Sequence, residues 1–349
     1  MLATLQLREF RCFPALAVEL GEGFTFFVGA NGEGKTSILE AACVLLRLQS
    51  QRSSSLAPAV RTGARSLALR GRLDDHALEF QYGGLRRRLL FDEVEQRNAA
   101  EYLRLARVVS FANADIDLAR GGSELRRRYL DFIGSQIDTR YRPTLRAYER
   151  ALRSRNALLK SGRPRAREIA AYDEALVRHG TDLRAMRAAL VSRISPAAAR
   201  AHQEISGSTE ELEIRYAPGN DADFAAHLAR SHSQEERLHQ TVVGPHRDDL
   251  NLAVDGMAAQ THSSEGQQRT LALALKLGQA RIFADEGAPP VLLIDDIFGE
   301  LDPARREALF GALDAGAQKL VTATSTQWPK EIGAGVTWKL EDNELRRVE

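Results

Sequence analysis

The amino-acid sequence predicts an α/β protein, built from a parallel sheet with additional antiparallel strands and from an inserted helical lobe. Short runs of β-branched and aromatic residues in the first and last thirds of the chain are typical of strands. Between about residues 123 and 205 the apolar residues recur at helical spacing instead. Strands before and after one long helical stretch indicate a discontinuous α/β domain that is interrupted by a helical lobe.

The composition is that of an ordinary globular protein. The 349 residues are 44% hydrophobic and 27% charged, with a formal net charge of +1. So small a net charge gives no global attraction to nucleic acid or membrane, and any such binding has to come from local clusters. The two cysteines, Cys12 and Cys43, give no disulfide framework, and no apolar run approaches the roughly 20 residues that span a bilayer. We therefore expect a cytoplasmic protein.

The first third of the chain reads as strands around one helix. The run Phe24–Val28 predicts a buried strand, and apolar residues at helical spacing over 36–46 predict a core-packed helix. Further strands are predicted at 3–7, 66–73, 77–82, 85–91 and 108–111, with a loop over 49–64.

The middle of the chain is predicted to be helical, with an interruption at 161–164. Residues 121–168 contain 13 arginines and lysines against 5 acids, a net of +8. Solvated helix faces explain such a run, and so does a surface for nucleic-acid phosphates; both alternatives stay open.

The last third returns to strand patterns. The run 291–294 is apolar throughout, which is typical of a buried strand in a parallel sheet. Other strands are predicted at 212–216, 251–256, 320–324, 335–340 and 345–348, and a leucine-rich helix at 267–284.

A phosphate-binding loop connects the Phe24–Val28 strand to the helix that follows it. The loop reads Gly29-Ala30-Asn31-Gly32-Glu33-Gly34-Lys35-Thr36, a full G-x-x-x-x-G-K-[ST] motif. Its glycines permit positive φ, and the helix directs its positive end at the same point. In this motif Lys35 reaches the β- and γ-phosphates and the Thr36 hydroxyl binds Mg²⁺. The strand before the loop and the helix after it favour a nucleotide site over a chance glycine-rich turn. Arg8 and Arg11 flank an earlier turn, where they contact the nucleotide base or lie in solvent.

A second group of candidate residues follows the apolar strand at 291–294. Asp295 leaves the strand in the position expected for a ligand of the Mg²⁺ that Thr36 also contacts. Asp296, one residue later, is placed to polarise the attacking water. An acidic turn after a strand is common by itself, but together with the phosphate loop it predicts a metal-dependent nucleotide site.

Two further motifs have the order found in ABC-type ATPases. The segment Ser264-Glu265-Gly266-Gln267 opens the leucine-rich helix, where orphan N–H groups bind anions. Alone it would be a simple helix N-cap. Placed before the acidic strand, however, it has the arrangement of the ABC signature motif, and Gly299-Glu300-Leu301-Asp302 follows the acids in the position of the D-loop.

With these motifs the chain resembles the RecF family of bacterial recombinational repair proteins, which is related to the SMC-type ATPases. The resemblance extends over the whole chain, and its most family-specific stretch is the heptapeptide at 244–250. The matching stretches are residues 10–11, the phosphate loop, 121–131, 148–160, 244–250, 264–269 and 293–302.

The resemblance implies an ABC/SMC-type ATPase head with an inserted helical arm. Residues 1–120 and 208–349 would form the head, and residues 121–207 the arm. It implies ATP and Mg²⁺ as ligands and a head-to-head dimer, in which Ser264, Gly266 and Gln267 of one subunit close on the phosphates bound to Lys35 of the other.

The resemblance also implies ATP-dependent DNA binding with a preference for junctions of duplex and single strand, weak DNA-dependent ATP hydrolysis, and action together with RecO and RecR. The arginines expected to contact DNA are Arg126, Arg127, Arg128, Arg153 and Arg155.

The sequence departs from the family pattern at several positions. Asn113-Ala114-Asp115 replaces the usual Pro-Glu-Asp, Ser123 a frequent proline and Gly299 a usual serine. Asp296 occupies the position that transporter ATPases fill with glutamate, and its shorter reach predicts slow hydrolysis. No histidine follows the strand at 320–324, so Thr322 or Thr324 is the candidate sensor of the γ-phosphate.

Two other functions were weighed against a DNA-binding ATPase. In the ATP subunit of an ABC transporter the insertion between phosphate loop and signature is much shorter than the 228 residues from Thr36 to Ser264. A structural or sensing protein with an inactive ATPase would not need Lys35, Asp295 and Asp296 intact.

Overall fold

The computed structural model describes residues 1–349 except 54, 85, 98, 100, 101, 162–165, 288, 325–334 and 349. Its strands are β1 (Leu2–Phe10), β2 (Phe13–Glu19), β3 (Phe24–Val28), β4 (Ser66–Leu73), β5 (His76–Gly83), β6 (Arg86–Phe91), β7 (Val94–Glu95), β8 (Val108–Ala112), β9 (Leu212–Ala217), β10 (Asp249–Val254), β11 (Met257–Ala258), β12 (Val291–Asp295), β13 (Lys319–Ala323), β14 (Val336–Glu341) and β15 (Glu344–Val348).

The helices of the described residues are α1 (Lys35–Arg47), α2 (Asp117–Arg120), α3 (Ser123–Ile137), α4 (Tyr141–Lys160), α5 (Ala166–Ser206), α6 (Phe224–Leu238), α7 (Ala259–His262), α8 (Glu265–Ala284) and α9 (Pro303–Ala312). None of them is long and apolar enough to cross a membrane.

The chain forms two compact units. Unit 1 contains residues Met1–Asp115 and Gln279–Glu349, and unit 2 contains Ile116–Gly278. The chain enters unit 2 just after β8 and returns to unit 1 within α8.

Unit 1 contains two six-stranded sheets with α1 between them. In the first sheet, β14, β3, β13, β12 and β8 run parallel in that order and β15 is antiparallel at the edge next to β14. The second sheet is antiparallel, in the order β2-β1-β4-β5-β6-β7. Helix α1 contacts β12 and β13 of one sheet and β1 and β4 of the other. Because it is covered on both sides, nearly all of its residues are buried.

Unit 2 consists of α2–α7, most of α8 and a small antiparallel sheet in the order β11-β10-β9. Its core joins α4, α5 and α6 through side chains that include Tyr148, Leu183 and Phe224. Helix α8 lies close to α5: a Cβ added at Gly278 would lie 2.8 Å from the backbone nitrogen of Ala198. A larger residue at 278 would therefore separate these two helices.

The predicted α/β class, with its parallel sheet, antiparallel strands and inserted helical region, is confirmed. The helical prediction for 123–205 corresponds to α3, α4 and α5, and its interruption at 161–164 falls mostly outside the described residues. Helix α6 was missed, although Asp223 before Phe224 and Leu228 gives the pattern of a capped amphipathic helix; the Asp223 side chain accepts a hydrogen bond from the Ala226 N–H at 2.9 Å.

The division into units differs from the predicted lobes at their boundary. Residues 208–278 belong by their contacts to unit 2, whereas the sequence assigned 208–349 to the head. The lobe boundaries, 1–120 with 208–349 and 121–207, stay a prediction.

Candidate functional site

The candidate site lies where parallel strands of unit 1 end at one edge of their sheet. Gly29 follows β3, and its N–H donates to the Ala323 carbonyl at the end of β13. Asp295, the last residue of β12, is in register with Thr322 of β13 and with Ala112 of β8. Residues far apart in sequence are thereby brought to one edge, as is usual for ligand sites in α/β sheets.

Two of the three glycines in the phosphate loop have positive φ. Gly32 and Gly34 have φ of 92° and 103°, values that residues with a side chain rarely adopt. Gly29 is needed for close approach, since a Cβ there would lie 2.5 Å from the Leu340 carbonyl oxygen. Helix α1 begins at Lys35 directly after the loop, so its first-turn N–H groups and its positive end face the loop.

Lys35 extends back over the loop. Its ammonium donates hydrogen bonds to the carbonyl oxygens of Gly29 at 2.7 Å and Ala30 at 2.8 Å, and the residue is 6% exposed. Burial lowers the pKa of Lys35, while the carboxylates of Asp296 and Asp295 act in the opposite direction. The loop therefore holds a cation in place, close to two acids.

Asp295 is oriented by two threonines. The hydroxyls of Thr36 and Thr322 both donate to Asp295 Oδ1, at 2.8 Å and 2.7 Å. Mg²⁺ binds oxygen ligands at about 2.1 Å, so two neighbouring ligands of an octahedral ion lie about 3.0 Å apart. Thr36 Oγ1 and Asp295 Oδ1 nearly have this separation, and both are of the ligand type that Mg²⁺ prefers. The residues present thus fit a magnesium ion.

Asp296 has an unusual backbone conformation next to this pair. Its φ is 51°, in the left-handed region that costs energy for a residue with a side chain. Burial raises the pKa of the half-buried Asp296 carboxyl; Lys35 lowers it, and Asp295 raises it further. A carboxylate with a raised pKa is a stronger base than an ordinary aspartate.

Asn113 is a residue of the site that the sequence did not single out. It is the first residue after β8, and its side-chain Nδ2 donates to the Asp296 carbonyl oxygen at 3.2 Å. The sequence does contain a pattern that indicates Asn113. A polar residue directly after a predicted hydrophobic strand is expected at the same sheet edge as Asp295. Asn113 was noted only as a departure from the family pattern.

The segment predicted as a signature motif forms the N-terminus of α8. The Ser264 N–H donates to Gln267 Oε1 at 2.8 Å, and the Gln267 N–H donates to Ser264 Oγ at 3.3 Å. This reciprocal pair is a capping box, so within one chain Ser264 acts as a helix N-cap. Ser264 is exposed and Gly266 partly exposed, so both are accessible beside the positive end of α8.

The predicted D-loop has a similar local role. Asp302 is the N-cap of α9, and its carboxylate accepts from the Arg305 N–H at 3.0 Å. Leu301 is buried and Glu300 is exposed. The segment therefore places one exposed acid close after Asp295 and Asp296 in the chain.

The two threonines considered for γ-phosphate sensing differ in accessibility. Thr322 is fully buried and its hydroxyl is bonded to Asp295, whereas Thr324 is exposed. Thr322 is thus a partner of Asp295, and Thr324 is the accessible one of the pair.

Arg11 is partly buried and paired with an acid, so the solvent alternative is wrong, and contact with the nucleotide base stays a prediction. Its guanidinium forms two hydrogen bonds with the fully buried Glu40 of α1, at 2.8 Å and 2.6 Å. Ser50 donates to the same carboxylate at 2.5 Å. Arg11 therefore neutralises a buried acid. Arg8 is exposed.

The predicted DNA-contacting arginines divide into two groups. Arg126 is 6% exposed and pairs with both oxygens of Asp249, at 2.6 Å and 2.9 Å. Arg155 is fully buried and pairs with Asp173 and Glu235, both at 2.6 Å. Neither guanidinium is accessible to DNA phosphates, so the prediction is corrected for these two residues: they stabilise unit 2.

The other three predicted arginines reach the surface to different degrees. Arg127 is half-buried and donates to the Asp248 carbonyl at 2.7 Å, while Arg128 and Arg153 are exposed. Only these exposed side chains can approach a phosphate without breaking an internal contact.

The family-specific heptapeptide at 244–250 also has a structural role. Asp248 is fully buried and accepts hydrogen bonds from Arg187 at 2.7 Å, Tyr216 at 2.5 Å and the Gly219 N–H at 2.8 Å. Its neighbour Asp249 pairs with Arg126. The heptapeptide thus connects α3, α5 and β9 by charged hydrogen bonds within unit 2.

Comparisons with known proteins identify the family of the chain. Residues 24–327 match a family described as "AAA domain, putative AbiEii toxin, Type IV TA system". The protein from Symbiobacterium thermophilum named DNA replication and repair protein RecF is 37% identical over an alignment that covers 95% of this chain and 94% of that protein. The protein of the same name from Synechocystis sp. is 34% identical over an alignment that covers 93% of this chain and 91% of that protein.

Solved structures give the same result. A structure described as the recombination mediator protein RecF-ATP in the RecFOR pathway has a TM-score of 0.90 and 28% identity, and covers 100% of this chain and 97% of its own. An Smc head bound to the C-winged helix domain of ScpA has a TM-score of 0.55 at 14% identity, which shows a shared fold alone. The chain therefore belongs to the RecF family of DNA replication and repair proteins, which are ATPases of the SMC/ABC type.

Proposed function

We propose that this protein is an ATP-dependent DNA-binding protein of recombinational repair and replication-fork maintenance, in which ATP acts as a switch for dimerisation. One observation carries the proposal: Lys35, Thr36 and Asp295 meet at one sheet edge around the phosphate loop. Relatives named for DNA replication and repair, and an ATP complex that is similar over the whole chain, support it.

The phosphates bind to the loop N–H groups and the first turn of α1, and Lys35 exchanges its carbonyl acceptors for phosphate oxygens. Thr36 and Asp295 would hold a Mg²⁺ ion, which would supply positive charge to stabilise the phosphates, and the Thr322 hydroxyl fixes the orientation of Asp295.

Asp296 is the general base for hydrolysis. It accepts a proton from the water that attacks the γ-phosphorus, as the bond between that phosphorus and the ADP oxygen breaks. The raised pKa of its carboxyl favours this proton transfer. An aspartate has a shorter reach than the glutamate of transporter ATPases, so we expect slow hydrolysis. Membership of the RecF family supports hydrolysis that depends on DNA and resets a switch.

The closed state is a homodimer. Ser264, Gly266 and Gln267 of one subunit contact the phosphates that Lys35 binds in the other, and Glu300, Leu301 and Asp302 lie at the same interface. The γ-phosphate then stabilises the dimer and not the monomer, which gives ATP the differential affinity that a conformational switch requires.

The dimer binds duplex DNA and prefers single-strand/duplex junctions or gapped duplex, and it acts with RecO and RecR in loading recombinase. Exposed arginines of the helical arm at 121–207, among them Arg128 and Arg153, contribute to the DNA surface. Similarity over more than nine-tenths of the RecF relatives' length favours this function over a transporter subunit.

Sedimentation velocity tests the proposal. The wild-type protein is measured alone, with Mg²⁺-ATP, and with Mg²⁺-ATP plus a gapped duplex. We expect a monomer, a dimer and a dimer bound to DNA. The Lys35→Met variant should stay monomeric under all three conditions, with an unchanged Tm in the absence of nucleotide. A wild-type protein that remains monomeric at saturating ATP, or a variant that dimerises like wild type, contradicts the proposed switch.

A further inference from the structure

One face of α4 carries a straight line of exposed cations. Arg146, Arg150, Arg153 and Lys160 are exposed, and so is Ala157 between them. We call these five residues the α4 stripe. The opposite face of the helix is buried in the core of unit 2. Packing in this core therefore fixes the position of the stripe.

The stripe is narrow. At 3.6 residues per turn its five positions lie within an arc of about 80° around the helix axis, and they span about 21 Å along it. Its cations follow one another after 4, 3 and 7 residues, with Ala157 in the widest gap, and long cationic side chains on one line can contact several backbone phosphates.

The stripe is also only weakly neutralised. Within the described part of the chain Arg146, Arg150 and Lys160 form no salt bridge, and the pair Arg153–Glu149 is long, at 3.8 Å, and exposed. An exposed pair of this kind contributes little and is screened by salt. Of the 13 basic residues at 121–168, Arg126 and Arg155 are buried in ion pairs. Many of the other basic residues of this segment lie on α4.

Neighbouring residues of α5 add to the positive field. Arg178 is exposed, and its Nη2 lies 3.4 Å from His179 Nε2. Burial lowers the pKa of His179, and Arg178 and Arg150 lower it further, against an opposite effect of Asp182. Glu149, Asp131 and Asp182 are the acids that act on this region, and the cations outnumber them.

We propose that the α4 stripe binds the phosphates of duplex DNA. The inference rests on the proposed DNA-binding function and specifies its surface. An acidic protein partner fits less well, because protein interfaces need apolar or aromatic anchors at their centre and the stripe contains none. A weakly neutralised row of arginines and a lysine matches a partner that carries negative charge along its whole length.

The test is a fluorescence anisotropy titration of a labelled 30-base-pair duplex in the presence of a non-hydrolysable ATP analogue, at several KCl concentrations. The variant is the triple substitution Arg146→Ala, Arg150→Ala and Arg153→Ala, because alanine preserves the helix. Each lost phosphate contact lowers the slope of log K against log salt by about 0.9. We expect binding roughly tenfold or more weaker at 0.1 M KCl and a slope smaller by about 2 to 3.

Two controls make the result specific. The triple substitution Arg87→Ala, Arg200→Ala and Arg237→Ala removes the same charge from exposed positions elsewhere and should leave the slope unchanged. Replacing the three stripe arginines by lysine should restore most of the affinity. Both alanine variants should bind the ATP analogue like wild type.

The outcomes separate this inference from the function on which it rests. A wild-type protein that does not bind DNA with nucleotide contradicts the proposed function. Wild-type binding with an unchanged salt slope in the stripe variant overturns only the stripe. If the stripe variant binds DNA normally but loses affinity for a polyglutamate peptide, the stripe is a protein-binding surface, which also overturns the inference.

Discussion

The chemistry at the sheet edge depends on a few side chains that hold two neighbouring aspartates in different conformations. Asp295 ends a regular strand and accepts hydrogen bonds from two threonine hydroxyls. Asp296 turns into the left-handed region, where its conformation has to be stabilised by other residues. The Asn113 amide donates to the Asp296 carbonyl, so Asn113 is a positioning residue for the candidate base.

Asn113→Ala tests this positioning role. Without the amide, Asp296 samples other backbone conformations, so we expect kcat for ATP to fall about 3- to 30-fold, the effect of losing roughly 0.7 to 2 kcal/mol of a hydrogen bond. KM for ATP should change less than twofold, because Asn113 contacts none of the loop residues that bind phosphate. Steady-state ATPase assays with DNA present measure both constants. Asn251→Ala, at an exposed position in β10, is the matched control. An equal loss of kcat in both variants, or a rise in KM alone, contradicts the role.

At the scale of elements, two helix ends are compatible with a structural role and with a functional one. The N-termini of α8 and α9 are each capped by a side chain, Ser264 and Asp302, as in any stable helix. Capping explains why the sequence alone could not decide between a structural cap and a signature motif at Ser264, since both require a small polar residue at the same place. The two alternatives differ in what they predict for charge.

Ser264→Asp separates the cap from the signature. Aspartate caps a helix as well as serine does, so the Tm of the nucleotide-free protein should change by less than about 2 °C. A carboxylate at this position would, however, repel the triphosphate of the other subunit. We therefore expect ATP-dependent dimerisation to weaken at least tenfold in sedimentation velocity. Asp223→Ser, at the N-cap of α6, exchanges the same two residue types in the opposite sense and controls for stability. If the Ser264→Asp variant dimerises at the same ATP concentration as the wild-type protein, Ser264 is only a helix cap and the signature role is contradicted.

For the whole molecule, the sequence predicted best those features that depend on neighbouring residues. The phosphate loop, the β3 strand before it and the apolar β12 strand with its two acids all follow local patterns, and the structure has them as predicted. Strand ends converge in parallel sheets, so the meeting of Thr36 and Asp295 could also be inferred.

What the sequence did not predict depends on long-range partners. Arg126 and Arg155 look like any other arginines of a basic helix until Asp249 and Glu235, more than 75 residues away, are brought beside them. Thr322 is an ordinary strand residue until register places it next to Asp295. The role of the heptapeptide at 244–250 likewise follows only from its contacts with Arg187 and Tyr216. Which charges are internal and which are exposed is therefore a property of the folded molecule.

A buried neutral histidine has a consequence for the stability of the whole protein at low pH. His246 is mostly buried; its Nε2–H donates to the Thr241 carbonyl at 3.0 Å and its Nδ1 accepts from the Tyr148 hydroxyl at 2.7 Å, so both ring nitrogens have a partner that suits a neutral ring. Burial lowers the pKa of His246 from 6.5 to about 4, against the hydrogen bond to Thr241, and Arg247 and Arg127 add to the decrease.

The unfolded chain binds a proton at His246 near pH 6.5, whereas the folded protein does so only near pH 4. Stability should therefore fall as the pH decreases through this interval, and the contribution of His246 is on the order of 3 kcal/mol. In His246→Gln the amide can donate and accept in place of the ring and does not titrate, so we expect the free energy of unfolding in urea to change less between pH 7 and pH 4.5 than in wild type. His262→Gln, at an exposed histidine, should keep the wild-type pH dependence. Parallel pH profiles for wild type and His246→Gln would mean that a buried neutral His246 does not contribute to acid sensitivity.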